Sequence, residues 1–389
     1  MRNNDPAHPT GGMRILCWGT YDTSKPRARL LLNGLRLADA ELTECRADIW
    51  RGVVDKSQVH GWRQRSGIAL RWLLSYPKLA WRLARSPKPD VVLIGFPGVL
   101  DMLVAAPIAR LRGIPLVWDM FMSLYDTVVE DRRLLRRESF AARLLHTLEG
   151  FALRRADLVF LDTQAHARRV ERLFGLAPGS LGAVWVGVET EHFHPGTNPT
   201  GEAPAHRRLR VLFYGQFIPL HGIDTIVEAA RLTRDEPIDW HLIGKGQESD
   251  RIRAMLAEPR LPNVRWDAWV DYEQLHRHIA ESDVCLGIFG ASEKAASVIP
   301  NKVFQIVATG RPLITRDSPA IRELLGNAPP CTSLIPPADP HALAAAVRAF
   351  ARAGCPAGPC HAPLQGKLDA RAIGQQCIAL LERHFGSER

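Results

Sequence analysis

Short hydrophobic runs alternate with longer amphipathic stretches along most of the chain, which is the pattern of parallel β-sheets covered by helices. The runs of the first half, each a predicted buried strand, lie at Arg14–Gly19, Asp90–Gly95, 114–118 and 157–161. Helical periodicity follows them at 30–37, at 98–112 and from Asp162 onward. This alternation predicts a doubly wound α/β domain over residues 13–195.

The alternation restarts after a Gly/Pro/Thr-rich stretch at 196–206, which we interpret as a linker between two domains. The predicted strands of the second half lie at 209–214, 238–243, 264–266, 284–289 and 313–315. The remaining divisions are a disordered tail at 1–12, a second α/β domain at 207–350, a low-complexity loop at 351–366 and a last helix at 367–389. We expect this last helix to cross back to the first domain.

The segment from Asp283 to Leu325 contains the clearest candidate ligand site. A predicted strand leads through a polar loop into a predicted helix at 301–309, and the polar residues of this stretch include Glu293, Lys294, Asn301, Lys302 and Gln305. Free N–H groups and the helix dipole make a helix N-terminus attractive to anions. The pattern therefore predicts a site for a diphosphate and a ribose. The alternative is an ordinary βαβ unit whose polar residues face water.

Polar residues also follow the predicted strands of the first half. After the first strand, Gly19 turns the chain toward Arg27 and Arg29, which are candidates for meeting a phosphate, although surface-facing arginines are the commoner outcome. Asp119 and Asp126 follow the strand at 114–118. Either carboxylate is a candidate for orienting a hydroxyl or acting as a base, with helix capping as the alternative.

Composition narrows the function classes. A hydrophobic content of 46% and a charged content of 23% are those of a soluble globular protein. Seven scattered cysteines without a Cys-x-x-Cys pair argue against a disulfide framework and favour a cytoplasmic protein without a metal site. No Gly-x-Gly-x-x-Gly or Walker motif is present, which disfavours nicotinamide, flavin and nucleoside triphosphate enzymes. No motif for binding nucleic acid accompanies the basic charge.

The net charge of +9 lies mainly in the first 200 residues, which hold 28 Lys/Arg against 20 Asp/Glu. Residues 61–88 contain seven basic side chains and no acidic one, with Arg71, Lys78 and Arg82 at helical spacing among Trp and Leu. That composition is typical of a helix that lies on anionic lipid. The alternative is a helix packed on the core with a solvated basic face.

The stretch from 187 to 344 resembles the family 4 glycosyltransferases, which have the GT-B fold of two Rossmann-like domains facing across a cleft. The resemblance rests on the linker Gly187–Pro195 and on Val211–Ala230, Leu242–Gly246, Ile299–Ile314 and Ile335–Ala344. It implies a nucleotide-sugar donor held mainly by the second domain and an acceptor held by the first. It also implies a reaction that retains anomeric configuration and needs neither a metal nor another cofactor.

From the residue pattern and the resemblance together, we predict donor contacts from Gly19, Gly215, Gln216, His221, Gly222, Lys245, Lys294, Asn301, Lys302 and Gln305. Where the family has an arginine and a lysine that grip the pyrophosphate, this chain has Gln216 and His221, and the family's two glutamates correspond to Ser297 and Gln305. Lys294 and Lys302 are candidates to replace the missing cations. Glu293 is the candidate to replace the missing carboxylate, and with Asp126 it is a candidate for catalysis.

These observations predict a cytoplasmic retaining glycosyltransferase, peripheral to the inner face of the membrane, that serves polysaccharide biosynthesis. It would move a sugar from a nucleoside-diphosphate sugar to a cell-envelope glycan or lipid-linked acceptor. The alternatives are a sugar-nucleotide epimerase or phosphorylase-like enzyme of the same fold, and a non-catalytic nucleotide-sugar-binding subunit of a glycan-assembly complex. A further hypothesis is that His221 grips phosphate as an imidazolium.

Overall fold

The computed structural model describes residues 12–49, 62–195, 208–327, 330–354 and 360–386. The predicted tail, except for Gly12, and the predicted linker at 196–206 lie outside the described residues.

The first domain is a parallel sheet of six strands: β1 (Arg14–Gly19), β2 (Glu41–Arg46), β3 (Val91–Ile94), β4 (Leu116–Phe121), β5 (Leu158–Leu161) and β6 (Gly182–Ala183). Its helices are α1 (Pro26–Leu37), α2 (Trp62–Arg85), α3 (Val99–Arg112), α4 (Phe140–Leu153) and α5 (Gln164–Phe174), with a π-helical turn at Asp126–Asp131. The strand order is β2-β1-β3-β4-β5-β6.

The second domain repeats this plan with β7 (Leu209–Tyr214), β8 (Ile238–Ile243), β9 (Val264–Asp267), β10 (Val284–Leu286), β11 (Leu313–Arg316) and β12 (Thr332–Ile335). Its strand order is β12-β11-β10-β7-β8-β9. The remaining helices are α6 (Ile223–Leu232), α7 (Ser249–Ala257), α8 (Tyr272–Glu281), α9 (Glu293–Ser297), α10 (Asn301–Ala308), α11 (Pro319–Leu325), α12 (Pro340–Ala353) and α13 (Ala370–Phe385). Short 3-10 turns lie at Pro219–His221 and Ala362–Leu364.

The two doubly wound parallel sheets confirm the predicted fold class. Central strands such as Val91–Ile94 are apolar at every position because helices cover both faces of a parallel sheet. Polar N-caps start many of the helices, since a side-chain oxygen accepts from one of the free N–H groups of the first turn. Such caps are Ser139, Thr163, Ser292, Ser318, Asp339 and Asp369.

Some elements differ from the sequence-based expectation. Strand β2 was not anticipated, because it is a polar edge strand with only Cys45 buried. Helix α1 begins at Pro26 rather than at residue 30, and a short helix, α9, forms within the expected polar loop. The strand expected at 284–289 ends at Leu286.

The last helix, α13, packs on α1 of the first domain at very short range. A Cβ atom added to Gly34 would lie 2.1 Å from the carbonyl oxygen of Ala370, and one added to Gly374 would lie 1.9 Å from that of Gly34. Only glycine permits this approach. The chain therefore returns to the first domain after completing the second.

One cysteine pair contradicts the expectation of free thiols. Cys331 and Cys360 form a disulfide whose Cα atoms are 5.9 Å apart, although 29 residues separate them in sequence. Cys17, Cys45, Cys285 and Cys377 are free and buried. An odd number of cysteines excludes complete pairing but not a single bridge, and this bridge joins residues that only the fold brings together.

The strand order fixes where a ligand binds. In the second sheet β7 and β10 are neighbours. From β7 the chain adds strands toward one edge of the sheet, and from β10 it adds strands toward the other edge. Loops that leave the carboxyl ends of such a pair diverge to opposite faces and open a crevice. The loop after β7 begins at Gly215, and the loop after β10 runs through α9 to the N-terminus of α10.

Candidate functional site

The crevice at this switch point is part of a cleft of about 420 Å³ between the two domains. Seven of the predicted donor residues line it: Gly215, Gln216, His221, Lys294, Asn301, Lys302 and Gln305. The first domain contributes lining residues that include Phe121, Thr127, Asp131, Arg132, Asp162 and His166. The cleft thus brings together most of the residues that the sequence proposed for the donor.

A larger groove of about 870 Å³ lies elsewhere, where α3, α4 and the end of α13 meet the start of β4. It contains Arg110, Arg154 and Phe151, and it opens at the amino ends of strands β4 and β5. Parallel sheets bind ligands at the opposite, carboxyl edge. We therefore place the functional site in the smaller cleft.

Lys302 is the dominant electrostatic feature of the cleft. Its side chain is 5% exposed, and its Nζ atom has no hydrogen-bond partner among the described residues. The Nζ atom lies 3.8 Å from the ring centre of Phe213, and burial lowers the pKa of the amine well below its usual range. A buried amine without a partner costs folding free energy. The first turn of α10 therefore holds a buried donor that no described residue satisfies.

Gly215 keeps the space in front of this amine open. Its φ is +143°, and an added Cβ atom would lie 2.9 Å from Lys302 Nζ and 3.2 Å from His221 Cε1. A side chain at position 215 would fill the space between Lys302 and His221. The requirement for glycine is therefore both steric and conformational.

His221 contributes a neutral imidazole in the absence of a ligand. Burial, followed by the charge of Lys302, lowers the pKa of His221 well below its usual range. Its Nδ1 atom bonds to the carbonyl oxygen of Gln216, so Nδ1 carries the hydrogen and Nε2 is free to accept. The imidazolium of our hypothesis is thus absent from the free protein.

Gln305 is held by two tyrosines at the other end of the donor side. Tyr214 donates to Gln305 Oε1 at 3.1 Å, and the Gln305 amide donates to the hydroxyl of Tyr272 at 3.5 Å. The amide retains a second N–H. It can donate to a ligand hydroxyl, where the family's glutamate would accept from one.

Three predicted donor residues do not line the cleft. Gly19 lies against Asp101 in the first domain, and an added Cβ atom would be 2.7 Å from that carboxylate. Gly222 packs against the backbone of Gly290, and Lys245 is exposed. The structure therefore does not bring these three residues to the cleft with the other seven, and their contacts with the donor stay a prediction.

Arg27 and Arg29 are engaged in ion pairs. Arg27 is buried, binds both carboxylate oxygens of Asp119 and donates to the carbonyls of Val184 and Trp185 at 2.8 Å each. Arg29 pairs with Glu189 at 2.8 Å. Arg27 therefore has no surface to offer an acceptor or a lipid, which corrects its assignment. The same contact makes Asp119 structural.

Asp126 and Glu293 are joined by one arginine of α5. Arg169 donates to Asp126 Oδ1 at 3.0 and 2.7 Å, and its third nitrogen binds Glu293 across the domain boundary. The Glu293 side chain is 76% exposed and is an interdomain ion-pair partner, and its catalytic role stays a prediction. Asp126 is buried next to the lining residue Thr127, and its Oδ2 atom has no hydrogen-bond partner among the described residues.

Two functional candidates, His166 and its partner Asp162, were not identified from the sequence. His166 is fully buried in α5 and lines the cleft, and its Nδ1 atom bonds to Asp162 Oδ1 at 2.6 Å. Its Nε2 atom has no hydrogen-bond partner in the described part of the chain. The available signal was an Asp-x-x-x-His spacing directly after a buried strand, where the loop and the first turn of the next helix meet the carboxyl edge of the sheet.

The basic helix α2 contributes no lining residue to the cleft. Arg71, Lys78 and Arg82 are exposed, and the Trp72 indole donates to Thr20 Oγ1, just after β1, at 2.9 Å. Exposed apolar side chains share this helix: Leu70, Leu73, Leu74 and Trp81. Among the described helices, none is sufficiently long and apolar to span a bilayer.

Comparisons with known proteins agree with the domain architecture. The family model "Glycosyl transferase 4-like domain" matches residues 15–184, and the model "Glycosyl transferases group 1" matches residues 208–352. The chain is 27% identical over 246 residues to the probable glycosyltransferase WbjE of Pseudomonas aeruginosa, a match covering 59% of this chain and 58% of WbjE. It is 25% identical over 149 residues to the putative colanic acid biosynthesis glycosyl transferase WcaI of Escherichia coli K12, covering 38% and 36%. These matches span less than two thirds of either relative.

Solved structures share the fold. Sucrose-phosphate synthase of Thermosynechococcus elongatus has a TM-score of 0.61 at 15% identity, covering 97% of this chain and 95% of that one. Anabaena HepE, solved in complex with UDP and glucose, has a TM-score of 0.59 at 14% identity, covering 95% and 100%. The two family models match the two sheet domains in chain order, and the protein belongs to the glycosyltransferases of the GT-B fold.

Proposed function

We propose that this protein transfers a sugar from a nucleoside-diphosphate sugar to a cell-envelope glycan or lipid-linked acceptor, with retention of configuration and without an essential metal. The observation that supports this most strongly is the unpartnered amine of Lys302 at the N-terminus of α10. A leaving diphosphate can be stabilised there by a cation and by helix N–H groups. The relatives' names, which include colanic acid biosynthesis, support an envelope acceptor.

A thermal-shift panel tests the donor class. UDP, GDP, dTDP, CMP and ADP and their common sugars are each added in large excess to the wild-type protein. A ligand at a hundredfold excess over its Kd stabilises the folded state by about 2.7 kcal/mol, so the true donor should raise Tm clearly. Absence of any shift would overturn the proposed donor site.

Donor affinity should fall as pH rises. The pKa values of His221 and Lys302 are lowered in the free protein, mainly by burial, and the negative charge of a bound diphosphate raises both. Binding therefore takes up protons and weakens as pH rises through the pKa values of the complex. Each proton taken up changes Kd by up to about tenfold per pH unit.

Calorimetry in two buffers of different ionisation enthalpy measures this proton uptake. The control is His241→Asn, because His241 lies outside the cleft and pairs with Asp267 at 2.7 Å. Its uptake should equal that of the wild type. Donor binding without proton uptake, at a constant Kd, would contradict the proposed roles of both residues.

We propose further that α2 docks on anionic lipid to reach its acceptor. Leu70, Leu73, Leu74 and Trp81 lie 56–68% exposed on a helix without acidic residues. Such a combination of apolar and cationic side chains binds the interface of an anionic bilayer. Trp72 ties this helix to the loop after β1, so docking would bring the lipid surface to the edge of the first sheet.

Replacing Leu73 and Leu74 with serine should weaken binding to anionic vesicles by about tenfold or more, since each buried leucine contributes about 1.5–3 kcal/mol. Sedimentation with phosphatidylglycerol-containing vesicles measures the effect. The difference between binding to these vesicles and binding to neutral vesicles gives the electrostatic contribution. Leu111→Ser, at an 89% exposed leucine of α3, serves as the control. Equal binding by the variant and the wild type would refute the docking surface.

The alternative of a non-catalytic nucleotide-sugar-binding subunit is favoured by one observation. Where the family places an arginine, this chain has the exposed and uncharged Gln216, whose side-chain oxygen accepts from Arg132 at 3.4 Å. A protein of this kind would bind the donor in the thermal-shift panel and never release a nucleoside diphosphate from it. Turnover assays with the identified donor separate the two functions.

A further inference from the structure

Two buried polar atoms on the first-domain side of the cleft have no hydrogen-bond partner among the described residues: one belongs to His166, which lines the cleft, and one to Asp126, next to the lining residue Thr127. His166 Nδ1 bonds to Asp162 Oδ1 at 2.6 Å, and in the tautomer that carries its hydrogen on Nδ1 the Nε2 atom has a lone pair. That atom lies 3.8 Å from Asp126 Oδ2. Both side chains are 0% exposed, and neither atom has a hydrogen-bond partner in the described residues. In this tautomer the two acceptors cannot satisfy each other, which leaves both open to a hydrogen from a ligand or a water.

A buried amine stands beside this pair. Lys294 Nζ lies 4.0 Å from Asp126 Oδ2 and donates to Thr127 Oγ1, which leaves it further N–H groups. Burial lowers the pKa of this amine. Two acceptors and one donor at this spacing complement the hydroxyl groups of a sugar ring, because each hydroxyl both donates and accepts.

The helix that presents His166 is held against the second domain. Glu323 accepts from the backbone N–H groups of Gln164 and Ala165 at 2.9 and 2.7 Å, and the hydroxyl of Thr163 donates to the carbonyl of Ser297. These contacts fix the start of α5 relative to the loop before α10. His166 is therefore pre-organised toward the space next to the diphosphate site.

We infer that His166 Nε2, Asp126 Oδ2 and Lys294 Nζ bind hydroxyl groups of the sugar, and that Asp162 positions His166 in the required tautomer. The inference rests on the proposed function and extends it to the transferred sugar of the donor. In this arrangement one hydroxyl donates to Nε2, another donates to Oδ2, and the amine donates to a hydroxyl oxygen. These contacts determine which sugar is accepted.

Two substitutions at His166 separate this role from a structural one. His166→Asn retains a donor to Asp162 but loses the acceptor at the Nε2 position. His166→Gln retains an acceptor near Nε2 but loses the bond to Asp162. A hydroxyl contact predicts that glutamine preserves function better than asparagine, whereas a merely structural role predicts the reverse order. Thermal unfolding of both variants checks that they are folded.

The readout is the Kd of a nucleoside diphosphate divided by the Kd of the corresponding nucleoside-diphosphate sugar. The pair used is the one that gives the largest increase in Tm in the thermal-shift panel. His166→Asn should reduce the sugar's contribution to affinity about 10- to 100-fold, as loss of a partner for buried polar groups does, and leave the Kd of the diphosphate unchanged. An unchanged ratio in a folded His166→Asn variant would show that His166 does not contact the transferred sugar. That result would overturn the inference, whereas failure of the wild type to bind any diphosphate would overturn the proposed function instead.

Discussion

Replacing Lys302 with methionine should lower sugar transfer about 100- to 1,000-fold, the loss that follows removal of one preorganised group from a developing charge. The same change should stabilise the free protein by about 1–3 kcal/mol, because it removes a buried polar group without a hydrogen-bond partner. Methionine is similar in length to the lysine stem and can still pack over Phe213, which the amine now covers at 3.8 Å. Activity assays and urea unfolding measure the two effects.

The opposite signs of these effects make the prediction specific. If Lys302 only supported the fold, Lys302→Met would lower both the stability and the activity of the protein. Lys245→Met is the matched control, because Lys245 belongs to the same domain, is exposed and does not line the cleft. It should change neither quantity. Full activity in Lys302→Met would show that the diphosphate is stabilised by other groups.

The sequence predicts this part of the site well because its geometry is local. Lys302 follows a strand, a loop and a helix start within one segment, and each of those elements has its own pattern of apolar residues, polar residues and Pro300. The fold class was predictable for the same reason. Two successive strand–helix alternations leave few arrangements other than two parallel sheets.

The ion pairs that the sequence analysis did not predict connect residues that are distant in sequence. Arg27 meets Asp119 after 92 residues, and Arg169 meets Glu293 after 124 residues. No periodicity within one element indicates which carboxylate lies opposite which arginine, because that depends on strand order and on how the domains meet. His166 was missed for a related reason, since its importance comes from atoms of Asp126 on another element.

Arg27→Met should destabilise the first domain by about 3–5 kcal/mol, the usual cost of leaving one member of a buried ion pair without its partner. The arginine is 4% exposed and Asp119 is 3% exposed, and their closest contact is 2.8 Å. Urea unfolding measures the loss. The control is Arg14→Met, which breaks a pair with Asp90 whose arginine is largely exposed, and it should have little effect.

The pH dependence of this loss identifies its cause. Burial raises the pKa of Asp119 above the ordinary value of 3.8, and Arg27 opposes that rise, so its removal raises the pKa further. As pH falls through the raised value, the folded variant takes up a proton that the unfolded chain does not, and stability returns. The deficit of Arg27→Met should therefore be largest at neutral and alkaline pH and shrink in mild acid. A second change, Asp119→Leu, should restore much of the stability at neutral pH, because no buried charge is then left without a partner. A deficit that stays constant with pH and survives the second change would instead come from lost packing between α1 and the ends of the strands.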